Sequence, residues 1–286
     1  MAEADVFSKI RTLNNSFTKA EKKVAEYVLK YPREVLNTSI SDLAEKCGVG
    51  DTSVFRFCKT LKFKGYQDFK MAVVRALSNS GSEENWSINS EINISDSLTD
   101  VTNKLLTTNI SSLNETYSLL NIKHLEKAVD ALIYARQILF LGVGSSLLSA
   151  LEAYNRFLRI TPKTKCPLDA HMQAMEASLL GSGDVAVIIS FSGSTKDSVE
   201  CARLAKEGGA FVIALTRYVK SPLTNYADVV LICGSNEGPL QGGSVTAQIS
   251  LLYLLDMLYV EFFKRQYSLS AANKEKTSSA VTDKIY

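Results

Sequence analysis

From residue 137 onward, short apolar runs alternate with segments of helical periodicity. The predicted strands are 137–143, 164–166, 184–190, 211–216 and 228–233, and the predicted helices between and after them are 146–158, 170–180, 197–207 and 245–265. Strands that are apolar throughout and alternate with helices are typical of a parallel sheet covered on both faces. Such sheets bind ligands at the carboxyl ends of their strands. The pattern therefore predicts an α/β fold with a ligand site at that edge.

The first 77 residues have a different pattern. Apolar residues recur there at helical spacing, and we predict helices over about 20–29, 40–47, 52–61 and 66–77, with Pro32 ending the first of them or beginning another. The polar stretch Ser78–Ser95 reads as a linker, and two further helices are predicted at 97–119 and 123–134. We thus predict a small all-α domain at 1–77, a linker at 78–95 and an α/β domain at 96–286.

Charge is distributed unevenly between these parts. The net charge of +2 indicates no partner by itself, but residues 1–77 carry 14 Lys and Arg against 9 Asp and Glu. The rest of the chain is mildly acidic. A basic first quarter predicts contact with a polyanion.

Composition indicates a soluble cytoplasmic protein. The five cysteines are widely spaced without a CxxC pair, which favours reduced thiols over disulfides or a zinc site. The N-terminus has no signal-peptide core. The apolar run QISLLYLLDMLYVEFF is interrupted by Asp256 and Glu261. We read it as shorter than a bilayer span and therefore as a buried or interface helix, with no membrane partner.

The segment ISDLAEKCGVGDTSVFRFCKTL (Ile40–Leu61) has the sequence pattern of a helix-turn-helix motif. Small Ala44 permits close helix crossing, Val49 in a glycine-bounded turn fills the angle, and the second helix buries Val54, Phe57, Cys58 and Leu61. Residues left for DNA are Thr52, Ser53, Arg56, Lys59 and Thr60 on the helix, with Lys62 and Lys64 for phosphates. The alternative is an ordinary three-helix core with a solvated basic face.

The segment SFSGST after the strand at 184–190 is rich in hydroxyl groups. Such a turn between a strand and a helix surrounds the positive end of the helix dipole with N–H and O–H donors, which suits a phosphate. Ser190, Ser192, Ser194 and Thr195 supply donors, Gly193 permits close backbone approach, and Lys196 adds positive charge. No metal or other cofactor is expected.

A second such turn lies upstream, in LFLGVGSSLLS (Leu139–Ser149). Gly142 and Gly144 permit the turn, and Ser145 and Ser146 offer hydroxyls. The third glycine and the acid of a dinucleotide site are missing, so NAD binding is not predicted. The two turns would hold one phosphosugar at the same sheet edge. The alternative is a pair of ordinary turns with Ser N-caps.

Other polar candidates are weaker. Glu237, in the loop after the last strand, would accept a sugar hydroxyl or be a surface acid. Ser244 and Thr246 would cap the final helix near the ligand. His171 opens a predicted helix and is more often structural than catalytic at such a position.

Several of these stretches together resemble the MurR/RpiR family of bacterial transcriptional regulators. The resemblance rests on SISDLAEKCGVGDTSVFRFCKTLKFKGYQDFK, LFLGVGSS, DAHMQ and GDVAVIISFSGSTKD. It implies a helix-turn-helix domain joined to a doubly wound SIS domain that dimerises and binds a phosphosugar effector. The chain departs from the family pattern at Gly50-Asp51, where a Ser-containing turn is common, and at Gly242–Thr246.

Three functions are compared. The first is a regulator of carbohydrate metabolism that binds a double-stranded DNA operator as a homodimer or homotetramer, under control of the phosphosugar. The second is a phosphosugar isomerase with an accessory domain, for which Glu152, Glu176, Glu237 and His171 are candidate acids and bases. These four form no recognisable motif pair. The third is a scaffold or sensor without a DNA role.

Overall fold

The computed structural model describes residues 5–79, 92–234 and 243–284. Backbone contacts divide the chain into two compact units, Met1–Thr108 with Asn236–Ser244 and Asn109–Ser235 with Val245–Tyr286. This division falls inside a helix, and the domain bounds drawn from the sequence stay a prediction.

The N-terminal region is entirely helical. Its helices are α1 (Val6–Thr12), α2 (Lys19–Lys30), α3 (Pro32–Leu36), α4 (Ile40–Lys46), α5 (Asp51–Thr60) and α6 (Tyr66–Asn79), with a 3₁₀ turn at Asn14–Ser16. Capping boxes begin α2 at Thr18 and α4 at Ser39, and Pro32 occupies the first turn of α3. Helix α1 was not predicted from the sequence.

One apolar core holds these helices together. Val24, Leu43, Val54, Phe57 and Phe69 are each fully buried in it. The ring centroids of Phe57 and Phe69 lie 5.5 Å apart in an edge-to-face arrangement. The helical periodicity of the sequence is therefore explained by a single core formed within residues 6–77.

The remainder contains both helices and strands, which alternate from β1 to β4. In chain order they are α7 (Leu98–Ser118), α8 (Ile122–Tyr134), β1 (Ile138–Gly142), α9 (Ser145–Leu158), β2 (Thr164–Lys165), α10 (Ala170–Ser178), β3 (Val185–Ile189), α11 (Lys196–Glu207), β4 (Phe211–Thr216), β5 (Val229–Ile232), α12 (Val245–Arg265) and α13 (Tyr267–Ser279), with 3₁₀ turns at Thr224–Tyr226 and Thr282–Lys284. Helix α13 was not predicted from the sequence.

The five strands form one parallel sheet in the order β2-β1-β3-β4-β5. Successive strand residues face opposite sides, so Val185, Val187 and Ile189 join one core cluster while Ala186 and Ile188 join another. The first cluster includes residues of α8, α9 and α12, and the second includes residues of α10 and α11. This confirms the predicted α/β class with a doubly wound parallel sheet.

Helix α12 corrects one expectation. The apolar run itself was taken to be shorter than a bilayer span, but the whole helix, predicted at 245–265, is 21 residues long because three residues precede that run and Lys264 and Arg265 follow it. By length and hydropathy it is long enough to cross a membrane, and 39% of its apolar window is buried inside the protein. Leu251, Leu254, Leu258 and Phe262 pack into the core on the side of α8 and α9, so the helix has the packing expected of a core helix.

Candidate functional site

The turn after β3 is shaped by close packing around Gly193. This glycine has φ +60° and is buried, and a Cβ placed on it would lie 2.6 Å from Ser221 Cβ and 3.0 Å from Thr216 Oγ1. Its N–H donates to Ser190 O at 2.9 Å, and its carbonyl accepts from Leu223 N at 2.9 Å. A side chain has no room here, so Gly193 is required by contact as well as by conformation.

The hydroxyl groups of this turn are not used to cap the following helix. Thr195 occupies the N-cap of α11 but makes no capping hydrogen bond. Ser194 Oγ donates to Ser192 O at 3.1 Å, Ser192 Oγ accepts from Ser194 N at 3.3 Å, and Ser190 Oγ lies 3.4 Å from Thr195 Oγ1. The first-turn N–H groups of α11 therefore lack a side-chain cap, as in an anion site at a helix N-terminus.

The turn after β1 also leads into a helix without a capping side chain, but its glycines are packed differently. Gly142 is crowded by the next helix itself, because a Cβ would lie 2.7 Å from Ser146 O. Gly144, the N-cap of α9, has φ +61° and ψ −130° and makes no side-chain cap. Ser145 is half-buried and Ser146 is buried. This turn too presents the start of a helix without a capping side chain.

Gln173 in α10 is hydrogen-bonded to the turn after β1. Its buried Nε2 donates to Gly142 O at 2.9 Å and to Pro167 O at 3.0 Å. The sequence reading included this residue in the DAHMQ stretch without assigning it a role. The sequence held no signal for it, because α10 exposes the apolar Met172 and Met175 and buries the polar Gln173.

The two turns start side by side. Gly142 pairs with Ile189 in the register of β1 and β3, so the chain leaves both strands at the same level of the sheet. With the order β2-β1-β3, the crossovers from these two strands go to opposite faces, and the gap between them is the switch point where doubly wound sheets bind ligands. Two predicted groups, Gly144–Ser146 and Ser190–Thr195, thus lie on adjacent strand ends.

Two other predicted ligand residues, Glu237 and Ser244, belong to neither turn. Glu237 lies outside the described residues. Ser244 is half-buried and directly precedes α12, while the neighbouring Thr246 hydroxyl donates to Asn109 Oδ1 at 2.9 Å. The ligand role of both remains a prediction.

The candidate acids and bases of an isomerase are not gathered by the described contacts. His171 is exposed at the start of α10, where its N–H donates to Asp169 Oδ1 at 2.9 Å. Glu176 forms an ion pair with Lys165 at 3.4 Å, and Glu152 is exposed on α9. All five thiols are free. Burial raises the pKa of Cys166 and Cys201 to about 11, which keeps them protonated and poorly nucleophilic.

The helix-turn-helix segment has the predicted geometry. Helix α4 ends in a glycine turn in which Gly48, at φ +60°, is followed by a Val49 N–H that donates to Ala44 O at 2.9 Å. Val49 is half-buried against the core, and Ala44 is buried. Gly50 caps α5 without a side-chain bond, and Ser41 Oγ donates to Asp51 Oδ2 at 2.5 Å across the turn.

The outer face of α5 carries the predicted DNA-binding side chains. Thr52, Arg56 and Lys59 are exposed and Ser53 is half-buried, while Lys62 and Lys64 are exposed just beyond the helix. Thr60 was also expected on this face, but its hydroxyl donates to Glu21 Oε1 at 2.8 Å, so it serves the packing of α2 against α5. Burial of Glu21 opposes ionisation, but hydrogen bonds from Thr18 and Thr60 and the charge of Arg56 lower its pKa overall.

Lys62 has an unusual backbone conformation. Its φ is +66°, the one positive value at a non-glycine residue among the described residues. It ends α5 as Gly48 ends α4, with Phe63 N donating to Cys58 O at 2.9 Å and its own N donating to Lys59 O at 2.8 Å. A lysine therefore stands at a position that favours glycine.

Two family models match the chain. The helix-turn-helix domain of the rpiR family matches residues 4–80, and the SIS domain matches residues 131–261. These ranges contain α5 and both turns of the sheet edge, respectively.

Relatives match over different shares of their length. An HTH-type transcriptional regulator of Haemophilus influenzae is 36% identical over 98% of this chain and 97% of its own length. The bifunctional protein glk of Burkholderia thailandensis is 34% identical over 94% of this chain but only 41% of that protein. Among solved structures, the Vibrio vulnificus NanR protein complexed with ManNAc-6P covers 98% of this chain and 99% of that one, with 28% identity and a TM-score of 0.84.

Proposed function

The chain belongs to the RpiR family of helix-turn-helix transcriptional regulators, and from that premise we propose that a phosphorylated sugar bound at the sheet edge controls its affinity for an operator. The family membership accounts for a DNA-binding regulator with a SIS domain. The identity of its ligand residues and its assembly are the parts that we add as proposals.

The effector binds in the gap between the turns after β1 and β3. The observation that carries this assignment is that the Thr195 hydroxyl makes no capping bond at α11, while the N-cap of α9 is a glycine followed by two serines that do not take the cap position. Ordinary turns with Ser N-caps would have those hydroxyls bonded to the first helical N–H groups. The phosphate would take the amides and hydroxyls of Ser190–Thr195, and the sugar hydroxyls would meet Gly144–Ser146. Glu237 and Ser244 stay ligand residues predicted from the sequence alone. ManNAc-6P, the ligand of the NanR structure, is one candidate effector.

DNA binds to the exposed face of α5. Helix α5 enters the major groove with Thr52, Ser53 and Arg56 toward base edges, and Lys59, Lys62 and Lys64 contact phosphates. The support is that these residues are at least partly exposed while the opposite face of α5 is fully buried.

Binding to a palindromic operator requires an assembly that carries two copies of helix α5. We place the protein in the cytoplasm as a homodimer or homotetramer on a palindromic site, without a membrane partner. The effector prefers one arrangement of the assembly, and a coupling free energy of about 1–3 kcal/mol is enough for a useful switch. The domains responsible are 1–77 for DNA and 96–286 for the sugar, joined by 78–95.

The protein is not an enzyme in this proposal. Some relatives, such as the bifunctional protein glk, carry a further region beyond the stretch that this chain matches. An isomerase needs a base and an acid at the sugar, and the described contacts gather no such pair from His171, Glu152 and Glu176. Isomerase turnover that is lost on a Glu→Gln change would overturn this part.

A thermal-shift screen of sugar phosphates, including ManNAc-6P, tests the effector site. A true effector stabilises the folded protein by about 2.7 kcal/mol at a hundredfold excess over its Kd. The double variant Ser192→Ala/Thr195→Ala should lose that shift and still bind DNA. Arg203→Ala, which removes a half-buried arginine of α11 outside the turn, is the matched control and should keep the shift. A retained shift in the double variant would remove the phosphate role of this turn.

A further inference from the structure

Arg217 lies beside the phosphate turn. It follows the last residue of β4, and its backbone N–H donates to Phe191 O at 3.0 Å. Thr216 Oγ1 donates to the same carbonyl at 3.1 Å, and Leu223 N donates to Gly193 O at 2.9 Å. The segment 216–223 is thus bonded to the turn on either side of Ser192.

The guanidinium of Arg217 has an unmet hydrogen-bonding requirement. Its Nη1 is buried and has no hydrogen-bond partner among residues 5–79, 92–234 and 243–284. The described contact of the guanidinium is with the Tyr218 ring, whose centroid lies 5.9 Å from Cζ. Arginine stays protonated in proteins, and a buried charged donor without an acceptor is costly. No ion pair among the described residues includes Arg217, so an anion from outside the chain would complete its environment.

Phosphate is the anion that this position fits. A phosphate monoester carries a charge near −2 at neutral pH. The residues of the turn offer neutral donors and one cation, the exposed Lys196. Arginine is the side chain best suited to bind phosphate through two parallel N–H bonds.

Resting on the proposed effector site, we infer that Arg217 contacts the phosphoryl group of the effector and supplies a buried positive charge in addition to that of the exposed Lys196. Its buried Nη1 donates to a phosphoryl oxygen, while the amides and hydroxyls of Ser190–Thr195 hold the remaining oxygens. The site therefore selects phosphorylated over unphosphorylated sugars chiefly through one arginine.

Calorimetric titration of Arg217→Met and Arg217→Lys tests the contact. The probes are ManNAc-6P and inorganic phosphate at fixed ionic strength. We expect Arg217→Met to raise the Kd of both probes by about tenfold or more, because a hydrogen bond between charged groups is lost. Arg217→Lys keeps the positive charge, so its Kd values should rise less than those of Arg217→Met. Arg203→Met removes an arginine of α11 that pairs with Glu200 and Glu207, and its Kd values should stay at the wild-type level.

The melting temperature of the ligand-free protein separates binding from a structural role. Because the buried Nη1 of Arg217 has no partner among the described residues, Arg217→Met should leave the Tm unchanged or raise it by about a degree or more. A Tm lowered by several degrees would overturn the inference in favour of a packing role. Unchanged Kd values in Arg217→Met would overturn it while leaving the effector site intact. A wild-type protein that binds neither probe would overturn both.

Discussion

The two proposed sites are built in opposite ways. On α5, function lies in exposed side chains such as Arg56, and stability lies in the buried opposite face, with Val54 and Phe57. At the sheet edge, function lies in the turns themselves, and Gly193 is both part of the site and packed against Ser221. Substitutions should therefore separate function from stability on the helix, but not at Gly193, where one residue serves both.

The largest effect is expected from Gly193→Ala. The new Cβ would overlap Ser221 at a backbone φ of +60°, so we predict a loss of about 2–5 kcal/mol in the free energy of unfolding. Urea unfolding measures it. Gly144→Ala is the matched control, because it has φ +61° with nothing within 4 Å of its Cβ, and should lose only the conformational cost of about 1–3 kcal/mol. Equal losses in the two variants would show that packing around Gly193, in the turn after β3, is unimportant.

Arg56→Ala tests the other half of the comparison. Arg56 is exposed, so the free energy of unfolding should change by less than about 0.5 kcal/mol. Operator affinity, measured by fluorescence anisotropy, should fall by about 10–100-fold if the side chain reads a base. Arg75→Ala, an equal change of charge on the exposed part of α6, is the control. Wild-type operator affinity in Arg56→Ala would refute the assignment of α5 as the reading helix.

Lys62→Gly should change stability and function in opposite directions. Removing the side chain relieves the positive φ and stabilises the protein by about 1 kcal/mol, while one phosphate contact is lost and the salt dependence of DNA binding weakens by about one ion. Gly48→Ala, at the corresponding end of α4, should destabilise by a similar amount. If Lys62→Gly left DNA binding and its salt dependence unchanged, the strained lysine would have no role at the operator.

The smallest effect concerns the amino end of β3, opposite the phosphate turn. Hydrogen bonds from Arg136, at 3.0 and 2.6 Å, hold the pKa of Asp184 below its usual range. A lowered carboxyl pKa stabilises the fold above the unfolded value of about 3.9 and loses that contribution as pH falls through the folded value.

Asp184→Asn should therefore lower the Tm by about a degree or two at pH 7, and the difference from wild type should shrink as pH falls below about 4. Effector affinity should not change. A difference in Tm that is independent of pH would mean that the carboxylate charge contributes nothing.

The sequence was sufficient to predict the sheet, most helices and two candidate sites, although α1 and α13 were missed and the site residues stay predictions. Periodicity was sufficient for the sheet because its strands are apolar on both faces, and for α5 because its buried and exposed faces are distinct. The roles of Gln173, Thr216 and Ser221 in the turns could not be predicted. Each is far in sequence from the turn it supports, and a buried polar residue has no periodic signal until its partner is known. Thr60 was misplaced for the same reason, since Glu21 lies 39 residues away.

The central claim is that sugar phosphate bound at the sheet edge changes operator affinity. The direct measurement is anisotropy of a duplex that the wild-type protein selects from a random pool, with and without the sugar phosphate found by thermal shift. The account predicts a change of at least about fivefold in the Kd for DNA, which is abolished in Ser192→Ala/Thr195→Ala while its DNA affinity without sugar is unchanged. An operator Kd that does not respond in wild type, or that responds equally in the double variant, would contradict it.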